Sequence, residues 1–130
     1  MDNSFCAARY RNRLDWSREA EFSGLVQYYR GLIQIRKAFS ALRDASAQAA
    51  KRMCFSDSPA GTVAFTLTEK ERTIAVCVNT LPEAVTVLLK TDLREWDVLA
   101  EGERAGIVPL QKVQGASIRI SGEDAVILCG

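Results

Sequence analysis

A carboxylate followed by an indole, Asp15–Trp16, is the pair of residues in this chain best suited to contact a sugar. A carboxylate accepts hydrogen bonds from sugar hydroxyls, and the face of an indole ring stacks on a pyranose. The structural alternative is that Asp15 caps or braces the start of a helix while Trp16 packs beneath it. From the residues alone, the structural role is favoured.

Catalysis on a sugar needs more than one such residue. Hydrolysis of a glycosidic bond requires two carboxyl groups, about 5.5 Å or about 6.5–9.5 Å apart depending on the stereochemical outcome. The chain has 16 acidic residues, yet no convincing pair stands out, and no catalytic residue is predicted. A solvated turn is the expected setting for the following acidic residues: Glu69, Glu71, Glu101, Glu103, Glu123 and Asp124.

The chain contains no histidine. This excludes a Ser-His-Asp triad, a Cys-His dyad and zinc sites that use imidazole. The four cysteines form no CxxC pair, and Cys77 and Cys129 fall inside apolar, strand-like runs. Buried free thiols are favoured there over a disulfide. We predict neither a metal site nor a cofactor.

The remaining aromatic residues have two possible roles. Trp96 lies in the strand-like run Glu95–Leu99, where core packing is favoured over an exposed platform for a sugar. Tyr10, Tyr28 and Tyr29 could line a cleft, but Tyr29 falls on the apolar face of a predicted helix, so core packing is expected for it.

That helix is predicted over residues 18–38, after an irregular loop at 1–17. Ser17 is the expected N-cap, and Arg36 and Lys37 suit the negative end of the helix dipole. Ser46 could cap a short second helix that runs to Ala50. The apolar residues at helical spacing in the first helix are Phe22, Leu25, Val26, Tyr29, Leu32, Ile33 and Ile35.

From residue 53 the apolar period changes to two, which predicts strands. Turn residues separate the strands at intervals of about eight to twelve residues, as in an antiparallel sandwich. The fold class is therefore mainly β: an antiparallel β-sandwich preceded by an N-terminal amphipathic helix segment. The predicted strands are Thr62–Thr68, Thr73–Asn79, Ala84–Leu89, Trp96–Ala100, Ser117–Ile120 and Ala125–Cys129.

Composition limits the partners. The 130 residues carry a net charge of +1, which argues against nucleic acid or an anionic membrane, because both require a clustered positive field. No apolar run approaches the roughly 18 residues of a membrane span. Met1–Ser4 leads into charged residues, so no signal peptide is expected in this segment.

Four blocks of residues, in order along the chain, resemble the type I pullulanases, which are debranching members of the α-amylase family. The first is Asn3-Ser4-Phe5 with Asn12 and Asp15-Trp16-Ser17; the second is Tyr28–Ile33 with Arg36–Phe39. The third is Val63-Ala64-Phe65 with Val78-Asn79, Trp96–Leu99 and Gly102–Gly106; the fourth is Ala125–Leu128. Each block is weak alone, and their order and spacing carry the resemblance.

The resemblance implies that residues 1–50 correspond to the last loop and helix of a (β/α)8 barrel and residues 51–130 to a C-terminal all-β sandwich. The catalytic carboxylates of such an enzyme precede this region. Residues 1–17 would form a loop at the catalytic face of the barrel, so the implied substrate-binding residues are Asn12, Asp15 and Trp16. Ala8–Arg9 departs from the proline-aspartate found in many relatives, which counts against contact between this loop and the substrate.

The expected function is therefore that of a non-catalytic region that stabilises the catalytic barrel of an α-1,6-glucan debranching hydrolase. The expected partners are the rest of the parent chain and α-glucan. One alternative is a carbohydrate-binding module that uses Trp96, Trp16 or Tyr10; another is a purely structural domain. In isolation, the apolar helix face should pack on the sheet or mediate a homodimer.

Overall fold

The computed structural model describes residues 18–43, 53–69 and 72–130. The predicted helix is present in two pieces, α1 (Arg18–Glu21) and α2 (Ser23–Ala38), followed by a 3₁₀ turn at Ser40–Leu42. The break falls at Phe22, whose backbone (φ −111°, ψ 39°) is not helical. Ser17 and the predicted helix Ser46–Ala50 lie outside the described residues.

Helix α2 ends where the backbone of Phe39 becomes extended (φ −118°, ψ 105°). The Phe39 N–H still donates to the carbonyl of Ile35, at 3.2 Å. Arg36 and Lys37 occupy the last turn, where positive side chains complement the partial negative charge of unpaired carbonyls. The predicted C-terminal end of the helix is confirmed.

All six predicted strands are present, within one residue of their predicted bounds at each end. Three further short strands lie outside the predicted set: Met53–Phe55, Arg104–Ala105 and Gln111–Gln114. In the described ranges the strands are β1 (Met53–Phe55), β2 (Thr62–Glu69), β3 (Arg72–Asn79), β4 (Val85–Leu88), β5 (Glu95–Glu101), β6 (Arg104–Ala105), β7 (Gln111–Gln114), β8 (Ser117–Ile120) and β9 (Asp124–Cys129).

The strands form two antiparallel sheets. The large sheet has the order β1-β2-β3-β9-β5-β6, with β7 also paired to β5, and the small sheet pairs β4 with β8. Strand β9 lies between β3 and β5, with Val76 opposite Ile127 on one side and Val98 opposite Leu128 on the other. The predicted antiparallel β-sandwich with a preceding helix is confirmed.

One core lies between the two sheets. Alternate residues of the large sheet point toward the small sheet, because successive side chains in a strand face opposite sides. The small sheet closes this layer with Val87, Ile118 and Ile120. The remaining buried residues of this core are Ala64, Ala75, Cys77, Leu89, Trp96, Val98, Val126 and Leu128.

A second core lies on the opposite face of the large sheet, under helix α2. Ile35 and Phe39 from the helical segment are buried against Ile74, Leu99 and Ala100 of the sheet. Leu32, Val76 and Ile127 pack around them. The molecule therefore has three layers, with the large sheet covered on one face by the small sheet and partly covered on the other by α2.

Helix α2 approaches the sheet most closely at Gly31. A Cβ placed on Gly31 would lie 2.0 Å from the carbonyl oxygen of Ala105 in β6, far inside van der Waals contact. Only glycine allows the helix backbone to lie this close to the strand. Gly31 and Ala105 belong to two separate blocks that carry the family resemblance, and in the structure these blocks are in contact.

Candidate functional site

The sugar-contact residues predicted from the sequence, Asn12, Asp15 and Trp16, lie outside the described residues, as does Tyr10. Their assignment stays a prediction. Two described features remain as candidates for a functional surface: an exposed apolar face of the helices, and a cleft between α2 and one end of the large sheet.

Trp96 is not on the surface. Its side chain is 0% exposed in the core between the sheets, so the predicted core role is confirmed and stacking on a sugar is ruled out for this residue. Among the described residues, none accepts a hydrogen bond from the indole Nε1, so Trp96 contributes to this part of the fold as an apolar side chain. A Cβ on Gly130 would lie 3.1 Å from the Trp96 ring, so the ring packs tightly against the backbone there.

The exposed apolar face of the helices, called here the helix stripe, consists of Phe22, Leu25, Tyr29 and Ile33. These side chains are 43%, 54%, 58% and 53% exposed, respectively. Their spacing of three, four and four residues places them on one side of the helix. The prediction that Tyr29 packs in the core is wrong, because α2 turns Gly31 and Ile35 toward the sheet and the stripe away from it.

A cleft of about 780 Å³ opens between the N-terminal half of α2 and one end of the large sheet. Gly24, Leu25 and Tyr28 form the helix wall, and Val78 and Ala125 belong to the strands opposite. The carboxylates Glu103, Glu123 and Asp124 also line the cleft. Leu25 belongs to the helix stripe as well, so the two features adjoin.

Asp124 holds one end of this cleft together. Its carboxylate accepts hydrogen bonds from the Gly102 N–H, at 3.0 and 3.1 Å, and from the Ala125 N–H, at 2.8 Å. These contacts tie the β5–β6 turn to the start of β9. The prediction of a solvated turn is wrong for Asp124, which is half-buried. The burial of Tyr28 raises the pKa of its phenol, and the negative charge of Asp124 raises it further.

The other predicted turn carboxylates have varied surroundings. Glu103 and Glu123 are exposed, as predicted. The prediction of a solvated turn is wrong for Glu69 and Glu101, which are half-buried at the ends of β2 and β5. Glu101 accepts a hydrogen bond from the Gln111 side chain at 2.6 Å, and Glu69 accepts one from the Ser40 hydroxyl. Glu71 lies outside the described residues.

Asn79, at the end of β3, is a buried polar residue whose side chain bonds to several backbone groups, and the sequence did not predict this role. Its Nδ2 donates to the carbonyls of Glu83, at 2.8 Å, and Ser121, at 3.1 Å. Its Oδ1 accepts from the Leu81 N–H at 2.9 Å. The side chain thus joins the loop after β3 to the turn between β8 and β9, close to the cleft.

Cys54, Cys77 and Cys129 are free thiols. The prediction of a buried free thiol is confirmed for Cys77, whereas Cys129 is free but not fully buried. Burial raises the pKa of Cys77 to about 11. Cys129 is half-buried, and its pKa is also raised, chiefly by burial. Raised pKa values oppose the thiolate form needed for nucleophilic attack or metal binding.

Within residues 18–43, 53–69 and 72–130, no group of three or more acidic, cysteine or histidine side chains is placed to hold a metal ion. In the same ranges, no helix is long and apolar enough to cross a membrane.

No protein-family model matches the chain. Solved structures of pullulanases do match it, over nearly its whole length. The pullulanase of Bacillus acidopullulyticus has a TM-score of 0.80 and 28% identity, covering 92% of this chain and 15% of that protein. The type I pullulanase of Bacillus subtilis strain 168, solved with maltose, has a TM-score of 0.75 and 27% identity, covering 91% and 17%.

The pullulanase of Paenibacillus barengoltzii, solved with maltohexaose and α-cyclodextrin, is 32% identical, with a TM-score of 0.73. The match covers 91% of this chain and 18% of that protein. The chain therefore spans less than a fifth of the length of each of these three enzymes.

Proposed function

We propose that this chain, a pullulanase-like segment of the α-amylase family that corresponds to a C-terminal portion of those enzymes, stabilises the catalytic barrel of an α-1,6-glucan debranching hydrolase without contributing catalytic carboxylates. In this proposal, residues 1–50 complete the barrel and residues 51–130 form the sandwich that packs beside it. The partner is the rest of the parent chain.

The helix stripe is the observation that carries the proposal. Helix α2 buries Gly31 and Ile35 against the sheet, yet three large apolar side chains of α2, together with Phe22 just before it, are about half exposed on another side. Fully burying one such side chain contributes about 1.5–3 kcal/mol. Because the four side chains are already about half buried, a surface that covers the stripe would contribute roughly half of that amount for each of them. A helix with two apolar sides is suited to lie between two packed bodies.

Contact with α-glucan by Asn12, Asp15 and Trp16 is the finer part of the proposal. It rests on the resemblance of the first sequence block to the loop at the catalytic face. The rival function, a carbohydrate-binding module, loses Trp96 as a platform because that ring is fully buried. It would have to depend on Trp16 or Tyr10.

Grafting tests the stabilising role. In the Paenibacillus barengoltzii pullulanase, the corresponding segment is either deleted or replaced by this chain, and the apparent melting temperature and pullulan hydrolysis are measured. We expect the graft to melt well above the deletion and to recover hydrolysis. Tyr29→Glu with Ile33→Glu should reverse most of the gain, since two charges would face the barrel.

Leu88→Glu with Val108→Glu is the matched control. Both residues are at least as exposed as the stripe residues but lie in the sandwich, on β4 and in the loop after β6. The control should leave the graft as stable as the unsubstituted one. The proposal would be contradicted if the graft melts no higher than the deletion. It would also be contradicted if the stripe and control substitutions lower the melting temperature equally.

A further inference from the structure

The cleft beside α2 presents hydrogen-bond acceptors, while its donors are already engaged. The Asn79 amide is bonded to backbone carbonyls, and the Thr80 hydroxyl donates to the Gly61 carbonyl at 2.6 Å. Asp124 accepts from the nearby N–H groups of Gly102 and Ala125. Apart from the Tyr28 phenol, these lining groups leave a ligand few donors to use.

The acceptors that remain are negatively charged. Among the carboxylate hydrogen bonds and ion pairs of the described part of the sandwich, none involves Glu103 or Glu123. Among the described residues lining the cleft, none is a lysine or an arginine. A ligand that complements this cleft must therefore be rich in donors and positively charged.

The rest of the lining is apolar or aromatic, with Leu25, Val78, Ala125 and the ring of Tyr28. A guanidinium group suits this mixture better than an ammonium group. It is planar, carries five N–H donors that match carboxylates in a fork, and stacks on aromatic faces. Its alkyl stem can lie against apolar side chains.

We propose that this cleft receives an arginine side chain from the adjoining catalytic barrel, with Glu103 and Glu123 as its ion-pair partners and the Tyr28 ring as its stacking surface. The inference rests on the proposed function, which supplies the barrel. The cleft meets the helix stripe at Leu25, so one docked surface would cover both. The raised pKa of Tyr28, due to burial and to Asp124, agrees with a negative field in the cleft.

A glucan is the competing occupant and a less suitable one. Each sugar hydroxyl both donates and accepts, so a sugar site normally offers donors as well as acceptors. The two occupants predict different responses to small probes. The test therefore uses the full chain and needs no barrel, so its outcome does not depend on the grafting experiment.

The experiment is a titration of the ¹⁵N-labelled chain with N-acetyl-arginine amide, followed at the amide signals of Gly102 and Ala125. These N–H groups bond to Asp124 at the edge of the cleft. The matched probe is N-acetyl-citrulline amide, which keeps the shape but has no charge; maltotetraose is the third. We expect saturable shifts with the arginine probe and much smaller shifts with the other two.

The variant E103Q/E123Q should bind the arginine probe about fivefold or more weakly, since two partly exposed ion pairs are lost. D92N/E95Q removes the same charge elsewhere on the sandwich and should bind as the unsubstituted chain does. Three results would overturn the inference: no saturable shift with arginine, equal or stronger shifts with citrulline or maltotetraose, or unchanged affinity in E103Q/E123Q.

Discussion

A single buried amide, Asn79, joins two loops that are far apart in sequence. It is 1% exposed, and its contacts with Leu81 and Glu83 on one loop and Ser121 on the other are all to backbone groups. The bond from the Leu81 N–H back to the Asn79 side chain is an Asx turn, in which asparagine bonds to the backbone two residues on. This turn closes β3.

Asn79→Ala should lower the free energy of unfolding by about 2–3 kcal/mol, because two carbonyls and an N–H lose their partner in a buried setting. Gln114→Ala, which removes an exposed amide from β7, should change it by less than about 0.5 kcal/mol. Urea denaturation of both variants checks this. Equal, small effects would mean that water replaces the Asn79 contacts at little cost.

Cys77 should resist alkylation because its thiol is buried. With the pKa raised from 9.0 to about 11, little thiolate exists near neutral pH. Iodoacetamide at pH 8 should therefore alkylate the exposed Cys54 promptly and Cys77 only after unfolding, as read by mass spectrometry of the peptides. Alkylation of Cys77 at the rate of Cys54 in the native chain would contradict its burial.

The raised pKa of Cys77 also makes the free energy of unfolding depend on pH in the alkaline range. The folded chain holds the Cys77 proton more tightly than the unfolded chain. The contribution of the protonated thiol to the free energy of unfolding is therefore fully present below about pH 9. It is lost as the pH rises toward 11. In Cys77→Ala, the decline of the free energy of unfolding across that alkaline range should be shallower than in the unsubstituted chain.

At the scale of elements, the contact between α2 and β6 depends on one missing side chain. Gly31→Ala would place a Cβ 2.0 Å from the Ala105 carbonyl oxygen. The helix must then move or the strand must shift, and overpacking of this kind costs about 1–3 kcal/mol. The expected result is a lower melting temperature.

Gly24→Ala is the internal control, since a Cβ there meets nothing within 4 Å. Because alanine is a better helix former, this change should raise stability by up to about 0.5–1 kcal/mol. Thermal denaturation of the two variants should therefore shift in opposite directions. A shift in the same direction for both would show that the approach at Gly31 does not limit packing.

The elements differ in how well the sequence predicts them. β2 and β3 are predictable because long alternating runs such as Thr62–Thr68 and Thr73–Asn79 bury one face or both. β7 is not, since Gln111–Gln114 is a polar edge strand whose only inward apolar residue is Val113. β6 has two residues, and its pairing follows from the turn at Gly102 (φ 61°) rather than from a pattern.

The surface features were harder to foresee than the strands. The apolar spacing of the helix is visible in the sequence, but which part meets the sheet is not. Gly31 determines which side of the helix meets the sheet, because a helix can approach most closely where it has no side chain. With Gly31 against β6, Tyr29 faces away from the sheet. The acidic cleft brings together residues from α2, β3, the β5–β6 turn and β9, so no local pattern marks it.

At the scale of the whole molecule, the helix stripe predicts how the isolated chain behaves. A contiguous apolar surface on a monomer favours self-association. We therefore expect a concentration-dependent homodimer, which Tyr29→Glu with Ile33→Glu should convert to a monomer. Sedimentation velocity or light scattering over a concentration series measures this. A monomer at all concentrations, with the stripe exposed to solvent, would contradict the prediction.

The position of β9 in the large sheet has a consequence for synthesis on the ribosome. Strand β9 is the last of the described strands to be translated, yet it lies between β3 and β5, which are made earlier. Until Asp124–Cys129 emerges from the exit tunnel, both neighbours expose an open hydrogen-bonding edge, and such edges invite pairing with other chains. The nascent chain must therefore wait for β9 before the large sheet can close, and chaperones that shield strand edges should matter most during that interval.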